Sequence, residues 1–157
     1  DLTTHVIERD ELSAGDHIYS YRSHGLYAHH GIYEADGTVL HLEGPGMSAA
    51  CASMHGAPSC VHRSDLAQFS LGQPVRRVQY RSSPLEATIR RPGTCYTAEP
   101  SPPQEVLSRA LSAYLLDPTE GEGEACEWRC WSPLTHSCEH FAFWCKTGNP
   151  LDKSLLT

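Results

Sequence analysis

The stretch Tyr27-Ala28-His29-His30-Gly31-Ile32-Tyr33-Glu34-Ala35-Asp36-Gly37-Thr38-Val39-Leu40-His41-Leu42 decides how this chain is built. Two runs rich in aromatic and β-branched residues flank Asp36-Gly37, a strong signal for a β-hairpin. Register then fixes which residues meet. With Ala35-Asp36-Gly37 as a three-residue loop, Gly37 takes the left-handed position, Glu34 faces Thr38 and Tyr33 faces Val39. Continued along the strands, that register sets Gly31 opposite His41 and His29 opposite Glu43. His29 and His41 then share one face as diagonal neighbours roughly 7 Å apart at the backbone, and His30, Ile32, Leu40 and Leu42 collect on the other. A two-residue Asp36-Gly37 turn instead sends His29 and His41 to opposite faces. Two histidines on one face fit three roles: a metal pair, a base with the group that orients it, or two unrelated surface residues.

Around the hairpin the pattern alternates between strand and helix. His17-Ile18-Tyr19-Ser20-Tyr21 reads as a strand, as do Val75 to Tyr80 and the short piece Ala87-Thr88-Ile89. Residues 1–14 form a polar lead-in. Residues 43–65 lack a period and read as a loop, as do the acidic, Gly-rich residues 119–127. Past the prolines at 100, 102 and 103, Val106, Leu107, Ala110, Leu111, Tyr114 and Leu115 fall on one helical face. A second helix carries Cys138, Phe141, Ala142 and Cys145 at helical spacing and stops at Gly148. Thr135 or Ser137 can cap its start. The fold class is therefore α+β: an antiparallel sheet with a histidine-bearing hairpin packed against helices. One domain over residues 1–157, with its core over about 12–150, accounts for the length.

Cys138 lies in the first turn of its helix. Unpaired backbone N–H groups and the positive dipole end favour a thiolate there, which predicts a lowered thiol pKa and a nucleophile. The alternative is a structural cysteine on the apolar stripe; for Cys145, two turns on, that alternative is the better reading. A nucleophile needs a base, and the hairpin histidines offer one. Metal chemistry has weaker support. Cys126 and Cys130 are four apart, and His136 and His140 stand at i,i+4, but no CxxC pair and no HExxH pattern is present. Neither metal nor cofactor is expected.

Composition removes other classes. The formal charge of −7, with only a thin scatter of arginines, argues against a nucleic-acid partner. Seven cysteines cannot all pair, which favours a reducing compartment with a free thiol. No apolar run is long enough to span a membrane, and the tail from Pro150 to Thr157 is too short and polar to anchor one.

Taken in order, Tyr27-Ala28-His29, His41 and Ser137-Cys138-Glu139-His140-Phe141 resemble the lecithin:retinol acyltransferase domain family. That family carries Tyr-x-His and a second His on adjacent strands, followed by Asn-Cys-Glu-His-Phe. Gly15-Asp16-His17-Ile18-Tyr19, Gly93-Thr94-Cys95 and Phe141 to Gly148 extend the likeness toward the plant members. The resemblance covers roughly residues 12–150 and is weakest over 43–70. It implies a permuted NlpC- or papain-like thiol enzyme, with Cys138 as nucleophile, His29 as general base, His41 as the group orienting that base, and Tyr27 helping to bind the oxyanion. It also implies acyl transfer from a glycerophospholipid or other acyl donor to an amine, an alcohol or water, with transient membrane contact; the alternatives are a thiol hydrolase or transferase acting on non-lipid acyl or amide groups, and a catalytically inert binding module of the same fold. The expected location is intracellular, cytoplasmic or plastid. Ser137 departs from the usual Asn, although Ser caps a helix equally well. Glu139 and His140 keep the pattern and read as structural or surface residues.

Overall fold

Hydrophobic burial on both faces of one sheet organises the chain. The computed structural model describes residues 6–43, 60–115 and 137–153. Its strands are β1 (His17–Arg22), β2 (Tyr27–Ala35), β3 (Thr38–Glu43), β4 (Cys60–Asp65) and β5 (Arg76–Arg77). The helices are α1 (Leu66–Ser70), α2 (Pro84–Ile89), α3 (Pro103–Tyr114) and α4 (Cys138–Thr147). The sheet is antiparallel throughout, in the order β4-β3-β2-β1-β5.

Strand alternation divides the apolar residues between the two faces of the sheet, in three clusters of which the third joins Tyr19, Val78, Tyr96 and Phe143. On one face Ile32, Leu40 and Leu42 pack against Val106 and Ala110 of α3 and Phe141, Ala142 and Cys145 of α4. On the other, Ile18, Tyr33, Val39 and Val75 pack against Phe69 of α1. Each fully buried residue of this size contributes roughly 1.5–3 kcal/mol. Asp65 caps α1 by accepting from Gln68 N at 2.7 Å, and the Gln68 side chain in turn accepts from Asp65 N.

The hairpin reaches the expected register by an unexpected route. Ala35 pairs with Thr38, so the turn has two residues, and Asp36 and Gly37 both have positive φ (50° and 79°) as a type I′ turn requires. Taken alone, that turn would put His29 and His41 on opposite faces. The ladder, however, shifts by one residue between Tyr33 and Ala35, restoring Tyr33↔Val39 and Ile32↔Leu40. Arg63 of β4 holds Glu34, the residue in the bulge, through Nε at 2.7 Å and Nη2 at 2.6 Å.

Four other expectations change. The 43–65 loop contains β4, whose Cys60-Val61-His62-Arg63-Ser64-Asp65 is an edge strand with one large apolar residue and so lacks the strand signature. Residues 87–89 end a helix: Ser83 Oγ accepts from Glu86 N at 3.1 Å and Pro84 opens the first turn, so capping chemistry overrides the β-branched tail. The strand expected over 75–80 narrows to Arg76–Arg77, with Val78 N donating to His17 O beyond it. In α3, Val106, Ala110 and Ala113 form the buried stripe, leaving Tyr114 and Leu115 exposed past the end of the packing surface. Cys126, Cys130, Thr135, His136 and the 119–127 loop lie outside the described residues.

Candidate active site

Ser137 fixes the nucleophile's position. It is the N-cap of α4: its Oγ accepts from His140 N, and the His140 side chain returns to the Ser137 backbone, forming a capping box. The Ser in place of Asn thus serves the helix start, and buried His140 is structural. Cys138 follows as the first helical residue.

The thiol docks on an open strand edge. Tyr33 N donates to Asp16 O and Tyr33 O accepts from Gly15 N, so on β2 the backbone groups of odd-numbered residues point toward β1. Those of Ala28, His30 and Ile32 therefore point toward β3. The β2–β3 ladder ends at Ile32↔Leu40, while β3 stays paired with β4 on its other edge through Glu43. In the resulting notch Cys138 Sγ donates to Ala28 O at 3.9 Å, and the N–H of His30 faces the sulfur. Ala28 and His30 flank His29, so the thiol sits against the strand at the expected base.

His29 and His41 meet on the face away from α4. His29 Nε2 and His41 Nδ1 are 2.9 Å apart, and His41 Nε2 lies 2.9 Å from Ser64 Oγ. Phe69 covers both rings at centroid distances of 5.0 and 5.4 Å. Gly31 makes that cover fit, since a Cβ there would lie 2.7 Å from Val39 and 2.8 Å from Phe69. His29 Nδ1 is buried and has no hydrogen-bond partner among the described residues. No hydrogen bond joins His29 to Cys138.

Burial dominates the electrostatics. It lowers the pKa of His29 well below the usual imidazole value, with His41 and Arg22 adding to the shift, and it lowers His41 to about 3. Both rings are neutral near pH 7. Burial also raises the Cys138 thiol, against the backbone N–H groups of His30 and Glu139. This corrects the lowered pKa expected from the helix start: the desolvation cost of a thiolate in the notch exceeds what the amides return. The resting pair is a neutral thiol beside a neutral imidazole.

A cavity of about 480 Å³ opens onto Cys138. Its walls include Tyr19, Tyr21, Leu42 and His30, with Leu26, Tyr27, Arg91 and Lys153 also lining it. Tyr27 starts β2, is 47% exposed, and its hydroxyl makes no hydrogen bond among the described residues. Glu139, half-buried in the same wall, is held by the Tyr96 hydroxyl and by Lys153 Nζ at 2.7 Å, which makes it structural as expected. Sequence reasoning missed Ser64, Phe69, Arg91 and Lys153. Only Gly93-Thr94-Cys95 hinted that the 91–94 segment borders the site.

This architecture has known relatives. A family model described as lecithin retinol acyltransferase matches residues 10–151. The chain belongs to that family. Membership implies an NlpC/P60-like thiol acyltransferase or hydrolase, and the observed α+β fold is consistent with that class. A protein from Arabidopsis thaliana, Protein LEAD-SENSITIVE 1, is 30% identical over 94% of this chain. The chain spans 62% of that relative's length. No helix among the described residues is long and apolar enough to cross a membrane.

Proposed function

We propose that the protein transfers acyl groups through a thioester on Cys138, with His29 as general base, His41 as its positioning residue and Tyr27 at the oxyanion. One observation carries this reading. The thiol is seated between the Ala28 carbonyl and the His30 N–H, against the residue whose buried Nδ1 lacks a partner among the described residues. A desolvated, unpaired imidazole nitrogen costs stability, and a site that keeps one at that cost is a candidate for function.

The two contacts are compatible with either direction of donation, and base catalysis selects one of them. His29 Nε2–H donates to His41 Nδ1, and His41 Nε2–H donates to Ser64 Oγ, which leaves the Nδ1 lone pair of His29 for the thiol proton. Sγ adds to the acyl carbonyl carbon as that proton moves to Nδ1, and the carbonyl oxygen becomes an oxyanion. The Cys138 N–H and the Tyr27 hydroxyl bind it. The bond to the leaving oxygen or nitrogen breaks, and the leaving group takes the proton from His29. An amine, alcohol or water then attacks the thioester carbonyl, giving its proton to His29, which returns it to sulfur. Neutral partners suit this general-base route, since no thiolate needs to persist in the notch.

The lining supports an amphiphilic acyl donor such as a glycerophospholipid. Aromatic and aliphatic walls accept a chain, while Arg91 supplies positive charge that, unlike that of Lys153, is not paired with Glu139. Leu26, 81% exposed beside the opening, offers an apolar contact for brief engagement with a lipid surface.

The test is intact mass spectrometry of wild type and Cys138→Ala after brief incubation with a pool of acyl donors. An acyl-sized mass increase found only in wild type and removed by hydroxylamine is expected. Loss of turnover in Cys138→Ala should be about 10⁴-fold or more. Retained turnover in the variant sinks the reading.

A further inference from the structure

Glu43 takes no part in the acyl-transfer steps, yet its carboxylate lies against the histidine pair. It ends β3 on the same face as His41. Its Oε1 is 3.7 Å from His41 Nδ1, and its Oε2 is buried without a hydrogen bond among the described residues, 3.8 Å from His62 Nε2. Both separations exceed a hydrogen bond. The carboxylate therefore looks toward imidazole nitrogens that it does not reach.

His29, His41 and Glu43 each offer one ligand atom, and these atoms all lie within 4.8 Å of one another. Two imidazole nitrogens and one carboxylate, with a fourth position open, form a donor set suited to zinc-class ions. A tetrahedral ion about 2.0–2.1 Å from each donor holds donors about 3.3 Å apart. The histidine nitrogens, 2.9 Å apart, must open by a few tenths of an ångström, the 3.7 Å His41–Glu43 gap must close by a similar amount, and the His29–Glu43 pair, within 4.8 Å, must close by up to about 1.5 Å as the Glu43 side chain turns inward. The outer partner is already present: His41 Nε2 bonds Ser64 Oγ, which frees Nδ1 to ligate.

We infer that His29, His41 and Glu43 bind a divalent ion of the zinc class, and that occupancy of this site switches off the thiol chemistry. The switch follows from where one proton sits. In the tautomer proposed above for the metal-free pair, His29 carries its proton on Nε2 and keeps the Nδ1 lone pair for the thiol. An ion on Nε2 uses that nitrogen's lone pair, so the proton of the neutral ring moves to Nδ1. The acceptor of the thiol proton is then blocked, and the ring releases no proton in the exchange. Base catalysis and metal occupancy are mutually exclusive at His29. The site rests on its own donors, whereas its effect on chemistry rests on His29 being the base proposed above.

Cobalt and zinc test the two halves separately. Titration of the whole chain with Co²⁺ should give visible d–d bands without thiolate-to-metal charge transfer, which distinguishes these donors from cysteines. Glu43→Gln, which keeps the side chain's shape, should weaken that affinity at least about tenfold, with circular dichroism confirming the fold. Bands carrying only thiolate character, or equal affinity in wild type and Glu43→Gln, overturn the site. For the second half, stoichiometric Zn²⁺ should slow iodoacetamide labelling of Cys138 at least about tenfold in wild type and leave its rate in Glu43→Gln unchanged. A formed cobalt site with unslowed labelling overturns the switch. Intact acyl transfer with no cobalt site refutes the metal inference alone. A cobalt site in a protein that transfers no acyl group refutes the acyl-transfer reading alone.

Discussion

His29 and His30 are neighbours in sequence and strangers in the fold. The pleat of β2 sends them to opposite faces, and each joins a buried chain of similar length. On one face His29 bonds His41, which bonds Ser64. On the other His30 bonds His17 at 2.8 Å, which bonds the Tyr80 hydroxyl at 2.8 Å. Burial lowers the pKa of all four histidines. The chains differ at their open ends. His30 stacks on Tyr19 and is biased by the nearby Glu139 carboxylate, which pulls its pKa up against burial. His29 Nδ1 is buried without a partner among the described residues, and the backbone of Ala28 and His30 on either side of it seats the thiol. The His30 chain reads as a scaffold; the His29 chain, which stops at a nitrogen without a partner among the described residues, is the one to which the proposed function assigns proton transfer.

Exchanging single rings breaks this comparison most directly. His29→Gln should lower the rate of thioester formation about 10³-fold with the fold intact, because the proton acceptor is gone. His30→Gln should cost about tenfold or less in rate but destabilise by about 1–3 kcal/mol, because buried His17 Nε2 loses its partner. Single-turnover kinetics and thermal melts separate the two. If His30→Gln removed activity in a folded protein while His29→Gln kept it, the base would belong to the other face.

Acid sharpens the comparison by acting on both faces together. Each of these histidines binds its proton in the unfolded chain at about pH 6.5 but resists it when folded, down to about 4 for His30 and about 3 for His41. Between those values the unfolded state holds more protons, so stability is full above about pH 6.5 and falls as pH drops below it. Each histidine contributes a slope of up to about 1.4 kcal/mol per pH unit in that window. Denaturant melts between about pH 7 and pH 5 should show this loss, and His30→Gln should make the slope shallower. Because the folded pKa of His29 is also low, acyl transfer should hold steady from about pH 8 to pH 6 in protein that stays folded. A rate that instead halves near about pH 6.5 would mean that the base is a solvated imidazole.

Legibility in the sequence followed local chemistry. Asp36-Gly37 and the apolar alternation marked the hairpin, and the Ser137 cap with Gly148 marked α4, because each signal is carried by adjacent residues. The bulge at Glu34 was hidden: the ion pair that holds it comes from Arg63, in a strand too polar to be recognised. The same blind spot hid Ser64 and, next along the chain, Phe69. The thiol pKa was misread because a helix start is visible in sequence and the depth of the notch around it is not. The pairing of His29 with His41 was legible from the hairpin register; the strand edge that seats the sulfur depends on where the β2–β3 ladder stops, which is a property of the whole sheet.

The smallest effects test how far the active chain extends. In His41→Gln the amide oxygen can still accept from His29 Nε2–H, so the working tautomer survives. The rate should fall about tenfold, well short of the loss expected when the tautomer is wrong. Ser64→Ala removes only the partner of His41 Nε2, a bond contributing about 0.5–1.5 kcal/mol, so about a threefold loss is expected. The two changes act through one path, and the double variant should therefore cost less than the product of the singles, since an amide in place of the His41 ring no longer needs Ser64. Multiplicative losses would mean that Ser64 supports the edge strand β4 and leaves the base untouched. A loss in Ser64→Ala as large as that in His29→Gln would make the serine part of the proton path, and the chain on this face would then be longer than its two histidines.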